Sequence, residues 1–195
     1  MASRVGYDSI RRWCAKFGPA YANQLRRRLP RPGHKWHLDE VLVKINGITH
    51  YLWRAVDRHG NVVDVLVQSR RNAKAAKRFF GELLKGLRYA PRVLVTDKLA
   101  GYGVAHRELM PSVIHRQSKY LNNRAENSHQ PTRQRERAMK RFKSPRHAQR
   151  FLSAFSGISA HFRPRRHRLS ATGWRTEMAD RFAVWNEVTE LDAAA

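Results

Sequence analysis

Three carboxylates stand out in a chain otherwise crowded with arginine and lysine. Asp39 lies inside the run Trp36-His37-Leu38-Asp39-Glu40-Val41-Leu42-Val43, Asp97 ends Val93-Leu94-Val95-Thr96-Asp97, and Glu126 falls within Asn122-Asn123-Arg124-Ala125-Glu126-Asn127. Aspartate is depleted in strands, and a carboxylate on a buried strand face is costly without a partner. Three such groups that converge repel one another and bind protons more tightly unless a cation sits between them. An all-oxygen donor set suits magnesium or manganese. A pair of these ions about 3.5–4 Å apart activates a nucleophile and stabilises a leaving oxygen, which is phosphoryl-transfer chemistry.

Each acid also has a plainer reading. Asp39 fits an edge or strand-end aspartate bonded to backbone. Asp97 follows a strand and precedes a helix, where an N-cap is ordinary. Asn123-x-x-Glu126 has the spacing of a capping box. The combination is more specific than its members. Arg133 follows Glu126 by two helical turns, with Pro131 between them expected to kink or break that helix.

The elements that must position these groups can be read from the hydrophobic pattern. Residues 36–45, 48–57 and 62–68 form an antiparallel meander with turns at Asn46-Gly47 and His59-Gly60-Asn61. On the first strand, Asp39 shares a face with His37, Val41, Val43 and Ile45. Residues 73–87 carry an apolar helical stripe, and Val93 to Val95, after that crossover, reads as a buried strand parallel to an earlier one. Asp97 thereby stands at the strand's C-terminal end, where open α/β sheets place their sites. A short helix at 99–109, a strand at 113–115, a helix from about Asn123 to Phe142 and another from Pro145 to about residue 160 follow. The basic break at 163–168 precedes a terminal helix at 174–190.

Ahead of the sheet, Asp8 caps a helix with Ile10, Trp13, Cys14 and Phe17 on one face, stopped by Gly18-Pro19. A second helical stretch at 20–28 ends in a Pro-rich linker at 29–33. The expected domains are residues 1–33, helical; 34–160, the α/β domain; and 161–195, a basic and helical tail.

The 195 residues hold 39 Lys and Arg against 15 Asp and Glu, a formal charge of +24. Nucleic acid is the expected partner. No apolar run is long enough to span a bilayer and no signal-peptide core opens the chain, so no membrane partner and a cytoplasmic location are expected. Cys14 is the single cysteine, which excludes an internal disulfide and a cysteine zinc cluster. His34 and His37, the histidines closest to ligand spacing, read as linker and strand residues. Residues 116–150 contain only Glu126 and Glu136 as acids among many Lys and Arg, a basic surface of the kind a phosphate backbone requires.

At these residues the sequence resembles the IS6 family of transposases. The similarity runs from Trp36-His37-Leu38-Asp39-Glu40 through Tyr51-Leu52-Trp53-Arg54-Ala55-Val56-Asp57, Val95-Thr96-Asp97-Lys98, His115-Arg116-Gln117 and Asn122-Asn123-Arg124-Ala125-Glu126-Asn127 to Arg141-Phe142-Lys143-Ser144, or roughly residues 8–160. The resemblance implies an α/β fold, a ribonuclease-H-like mixed five-stranded sheet flanked by helices. It also implies Asp39, Asp97 and Glu126 as the catalytic, metal-binding DDE triad, two Mg2+ or Mn2+ ions, and Arg133 as the basic residue that follows the glutamate. The implied activity is DNA cleavage and strand transfer at transposon ends and target DNA, by a homo-oligomer assembled on DNA. Arg116, Lys119, Arg124 and Arg133, with Arg11 and Arg12 of the first helix, are the expected DNA-binding residues.

Two departures accompany the resemblance. The Asp97-to-Glu126 interval is shorter than the family's, with the deficit before His115. Asp8-Ser9-Ile10-Arg11-Arg12-Trp13 resembles the recognition helix of a helix-turn-helix whose supporting helix is missing, leaving a remnant. The alternative function is a catalytically silent DNA-binding relic or competitor of an intact transposase. A basic RNA-binding module accounts for the charge but not for three acids at converging positions.

Overall fold

In the computed structural model of the protein, the described residues are 6–28, 31–118, 120–138, 142–164 and 169–190. The turn chemistry sets the sheet. β1 (Lys35–Ile45) reverses at Asn46-Gly47, with φ of 52° and 78°, into β2 (Ile48–Asp57), as a two-residue hairpin with both central residues left-handed requires. β2 reverses into β3 (Val62–Gln68), with Gly60 at φ 81°. Asp57 builds this second turn by accepting from the backbone N–H of His59 at 2.7 Å and of Asn61 at 2.9 Å. β4 (Val93–Thr96) pairs parallel to β1, and β5 (Ile114–Gln117) parallel to β4, in the order β3-β2-β1-β4-β5. The meander and the parallel crossover strand agree with the sequence pattern.

Two helices close one face of this sheet. α2 (Ala73–Leu87) starts at Asn72, whose side chain accepts from the Ala75 N–H at 3.0 Å, and ends at Arg88 in the left-handed region, φ 58°. α3 (Ala100–Leu109) lies beside it. Trp36, Leu38, Trp53 and Ala55 from the sheet meet Phe79, Phe80, Leu83 and Tyr102 from these helices in one fully buried cluster. Each large apolar side chain so buried contributes roughly 1.5–3 kcal/mol relative to exposure. A Cβ on Gly101 would stand 3.1 Å from the backbone at Asn72 and Ala73, so the missing side chain lets α3 touch the first turn of α2. We expect Gly101→Ala to cost about 1–3 kcal/mol in urea unfolding, because backbone must move to admit the methyl.

The opposite face carries α4 (Asn123–Ser128), preceded by a 3₁₀ turn at Tyr120–Asn122, and α5 (Gln130–Ala138). The helix expected from Asn123, with a kink or break at Pro131, is divided into these two, just ahead of Pro131. Pro131 sits in the first turn of α5, where its missing N–H costs nothing. Phe142 bridges to Ile45, extending this cover.

The chain divides into two compact units, residues 31–149 and residues 1–30 with 150–195. Residues 150–160 fall in the unit that holds the terminal helices. α6 (Pro145–His161) spans the division in sequence, and α7 (Ala171–Thr189) belongs to the second unit. That unit also contains α1 (Tyr7–Arg28). The expected stop at Gly18-Pro19 is absent: α1 runs through Pro19 as one helix, so no turn separates two helices there. Proline removes a single i to i−4 bond, while Ala22 and Leu25 beyond it are buried and a Cβ on Gly18 would stand 3.6 Å from the Ala154 Cβ, in ordinary contact. Packing on both sides of the proline holds the helix together. Of the expected stripe, Ile10 and Trp13 are about half exposed. Among the described residues no helix is long and apolar enough to cross a membrane.

Candidate active site

The site is built where β1 and β4 part. Their pairing runs Lys35–Val93, Trp36–Leu94 and His37–Val95. The same register carried two residues further sets Asp39 beside Asp97, at the C-terminal end of β4. Asp39 is in the middle of a central strand, not at an edge or end, and its side chain is only 11% exposed. Burial, then the charge of Asp97, pushes the Asp39 carboxyl up to about 6, against the opposing effects of the Glu40 N–H, Arg71 and Arg133. Asp97 makes a local bond, accepting from the Leu99 N–H at 2.9 Å. It is not the N-cap of α3, which is Leu99 with no side-chain capping bond.

Glu40, next in sequence to Asp39, completes the geometric cluster. One ligand atom from each of Asp39, Glu40 and Asp97 lies within 4.8 Å of the others. Because neighbours on a strand point to opposite faces, Glu40 reaches the site from the α2–α3 side. Tyr102 Oη donates to its Oε2, and Arg71 Nε to its Oε1. Arg71 Nη2 also donates to Asp97 Oδ2 at 3.2 Å. Burial pushes the Glu40 carboxyl up despite these bonds.

Glu126 stands apart from this cluster. It is exposed on α4, and its charge is felt at the buried imidazole of His129. The capping-box spacing is not used: α4 is capped by Asn122, whose side chain makes no capping bond and instead donates from Nδ2 to the Leu38 carbonyl at 2.7 Å. Arg133 is exposed on α5, and its charge acts on Asp39, His129 and Glu136. Arg116 is exposed at β5. Lys119 and the side chain of Arg124 lie outside the described residues. Arg11 and Arg12 are exposed on α1 in the other unit, Arg11 at 4.0 Å from Asp8.

Several residues outside the expected site are brought into play. Arg54 on β2 pairs in register with Asp39 on the same sheet face. Its buried guanidinium donates to the Ser128 carbonyl and to Thr132 Oγ1, tying α4 and α5 to the sheet. Burial lowers it to about 10, so it is charged at neutral pH. His129 Nε2 stands 3.3 Å from Asp39 Oδ2, off the line of a proper hydrogen bond. Burial first, then Arg54 and Arg133, push this imidazole well below its usual range, so it is neutral there. Arg54 was findable, since the Asn46-Gly47 turn fixes the register that sets it opposite Asp39. Arg71 and Tyr102 carried no sequence signal, being one arginine of many and one core aromatic.

Three carboxylates with ligand atoms within 4.8 Å of one another, two of them buried and one partly exposed, form a donor set suited to a hard divalent cation. Burial, and after it the charge of Asp97, raises Asp39, and a cation between the two carboxylates would favour the ionised form against both.

A protein-family model described as a DDE domain, that of IS240-type transposases, matches residues 33–165. The transposase for insertion sequence-like element IS431mec of Staphylococcus aureus is 27% identical over 175 residues, covering 87% of this chain and 76% of that one. Among solved structures, the simian T-cell lymphotropic virus intasome in complex with PP2A regulatory subunit B56 gamma superposes with a TM-score of 0.51 at 17% identity, over 67% of this chain and 50% of that one. The HTLV-2 integrase catalytic core domain in complex with magnesium (trimeric form) gives 0.50 at 13% identity, over 75% of this chain and 95% of that one. These likenesses agree with the sheet order and its flanking helices in a ribonuclease-H-like fold. With a DDE domain across most of its length and an insertion-sequence transposase matching nearly all of it, the chain belongs to the IS6 family of DDE transposases.

Proposed function

We propose that this chain cuts DNA strands at transposon ends and joins the freed 3′ hydroxyl to target DNA, in the cytoplasm and as a homo-oligomer assembled on DNA. The observation that carries the proposal is the adjacency of Asp39 and Asp97 at the parting ends of β1 and β4. Asp39 and Asp97 would hold magnesium or manganese, two ions in the full complement, with Glu126 joining from α4. When bound, the ions supply activation of the attacking oxygen and stabilisation of the leaving one. The chain's own residues do the rest: the sheet fixes the two aspartates, the buried wall at Glu40 and Tyr102 excludes water from one side, and the exposed basic groups orient the phosphate backbone. The test is nicking of supercoiled plasmid by the purified chain. Nicks are expected with magnesium or manganese and not with chelator; nicks undiminished by chelator would sink the metal assignment.

The exposed Arg133, with Arg116, Lys119 and Arg124 of the same basic segment, is proposed to contact phosphates without reading bases, and Arg11 and Arg12 of α1 to bind DNA as well. Arg133→Ala is then expected to weaken binding evenly across unrelated duplexes and to reduce the salt slope by roughly one unit. A slope equal to the parent's would make Arg133 a surface arginine of no special duty. A second reading, a DNA-binding competitor that does not cleave, is favoured by one observation, the position of Glu126 outside the Asp39–Asp97 cluster. Plasmid nicking separates the two, since a competitor binds and leaves the plasmid closed.

A further inference from the structure

The cluster of acids already contains a cation of the protein's own. Arg71, in the loop before the Asn72 cap of α2, bridges two of the three carboxylates: Nε to Glu40 Oε1 and Nη2 to Asp97 Oδ2. The two ends of this bridge differ. The Glu40 side chain is 1% exposed and its other oxygen is taken by the Tyr102 hydroxyl, whereas Asp97 is 26% exposed and its contact with Arg71 is the longer one. A buried carboxylate bonded on both oxygens is a strong anchor, and a partly solvated ion pair is a weak one. The loop itself is held in place by the close approach of Gly101 to the backbone of Asn72 and Ala73, which also delivers the adjacent Tyr102 to Glu40.

We propose that Arg71 is a resident counter-ion of the site, anchored on Glu40, which a divalent metal must displace from Asp97 before it binds, and that Glu40 serves as this anchor and not as a metal ligand. The inference rests on the metal reading above and assigns roles within it. Both Glu40 oxygens accept bonds inside a fully buried pocket. Asp97 also accepts on both, from the Leu99 N–H and from Arg71, but it is partly exposed and its Arg71 contact is the longer one, so Asp39 and Asp97 are the carboxylates open to the ion. Arg71 is 42% exposed, so its Nη2 end can swing off Asp97 without disturbing the core, while Nε stays on Glu40. In the metal-free chain this guanidinium offsets the repulsion between Asp97 and Asp39, keeping the two acids together. In exchange it raises the metal concentration the site needs.

The measurement is Mn2+ binding to the full chain, followed by the electron paramagnetic resonance of free Mn2+, without DNA. Four proteins are compared: the parent, Asp97→Asn, Arg71→Gln and the double variant Glu40→Gln/Arg71→Gln, each checked for native circular dichroism. The parent is expected to bind and Asp97→Asn to lose that binding. Arg71→Gln is expected to bind about three- to tenfold more tightly, since a competing charge is gone, and the double variant to match Arg71→Gln. Equal binding by the parent and Asp97→Asn would overturn the metal reading and this inference with it. Binding through Asp97 with no gain in Arg71→Gln would overturn the inference alone. A double variant that binds at least tenfold more weakly than Arg71→Gln would show Glu40 to be a ligand, overturning the anchor assignment.

Discussion

Asp39→Asn is expected to slow metal-dependent cleavage on the order of 10²–10³-fold and, without metal, to melt at a higher temperature than the parent above pH 6. The two effects have opposite signs because one charge serves two ends. Asp39 holds its proton up to about 6 in the folded chain, against an ordinary value of 3.8. Between those values the folded state binds more protons than the unfolded one, so stability falls as pH rises through the window. Above it the ionised carboxylate destabilises by its full amount, on the order of 1–3 kcal/mol. Asparagine keeps the shape and removes the charge. Parent and variant should therefore melt together near pH 4, diverge through pH 6 and stay apart at pH 8. Thermal melts with chelator at these values decide it; a variant less stable than the parent at pH 8 would mean that the ionised form is already compensated.

Arg54→Ala is expected to lose about 2–4 kcal/mol in urea unfolding, through a cavity and through one buried and one part-buried acceptor left without this donor. Arg54 reaches the Ser128 carbonyl at the end of α4 and Thr132 in α5, so one guanidinium ties both helices, which carry Glu126 and Arg133, to β2. Arg54→Met separates the causes: it fills much of the volume but donates nothing, and should recover only the cavity part. Cleavage by the folded fraction of either variant should fall too. A loss below about 0.5 kcal/mol in Arg54→Ala would mean that α4 and α5 are held by their apolar contacts, such as that of the buried Ala125.

How much of this was legible beforehand differs from one residue to the next. The sheet was, because Asn46-Gly47 and the Gly60 turn dictate a meander and because an apolar strand after a helical crossover must pair in parallel. Asp39 and Asp97 followed, since strand position alone places them. Glu126 was legible as a motif but not as a position: whether α4 presents it to the aspartates depends on how the Arg54 anchor and the break before Pro131 tilt two short helices, and no local pattern encodes that tilt. The continuity of α1 is not legible locally, because a Gly-Pro pair signals a stop while burial of Ala22 and Leu25 decides otherwise. Arg71 was invisible, one loop arginine in a chain with 39 Lys and Arg, until the fold put it between two acids.

The most direct test of the central claim is the magnesium-dependent nicking rate of Asp97→Asn on supercoiled plasmid, measured at protein concentrations that give the same DNA occupancy as the parent. Asp97 lies at the strand end and carries no buried core, so its amide should fold and bind DNA as the parent does. The expected result is full binding with nicking reduced at least a hundredfold. Nicking at the parent's rate would remove Asp97 from the reaction, and with it the assignment of the Asp39–Asp97 pair as the centre that cuts DNA.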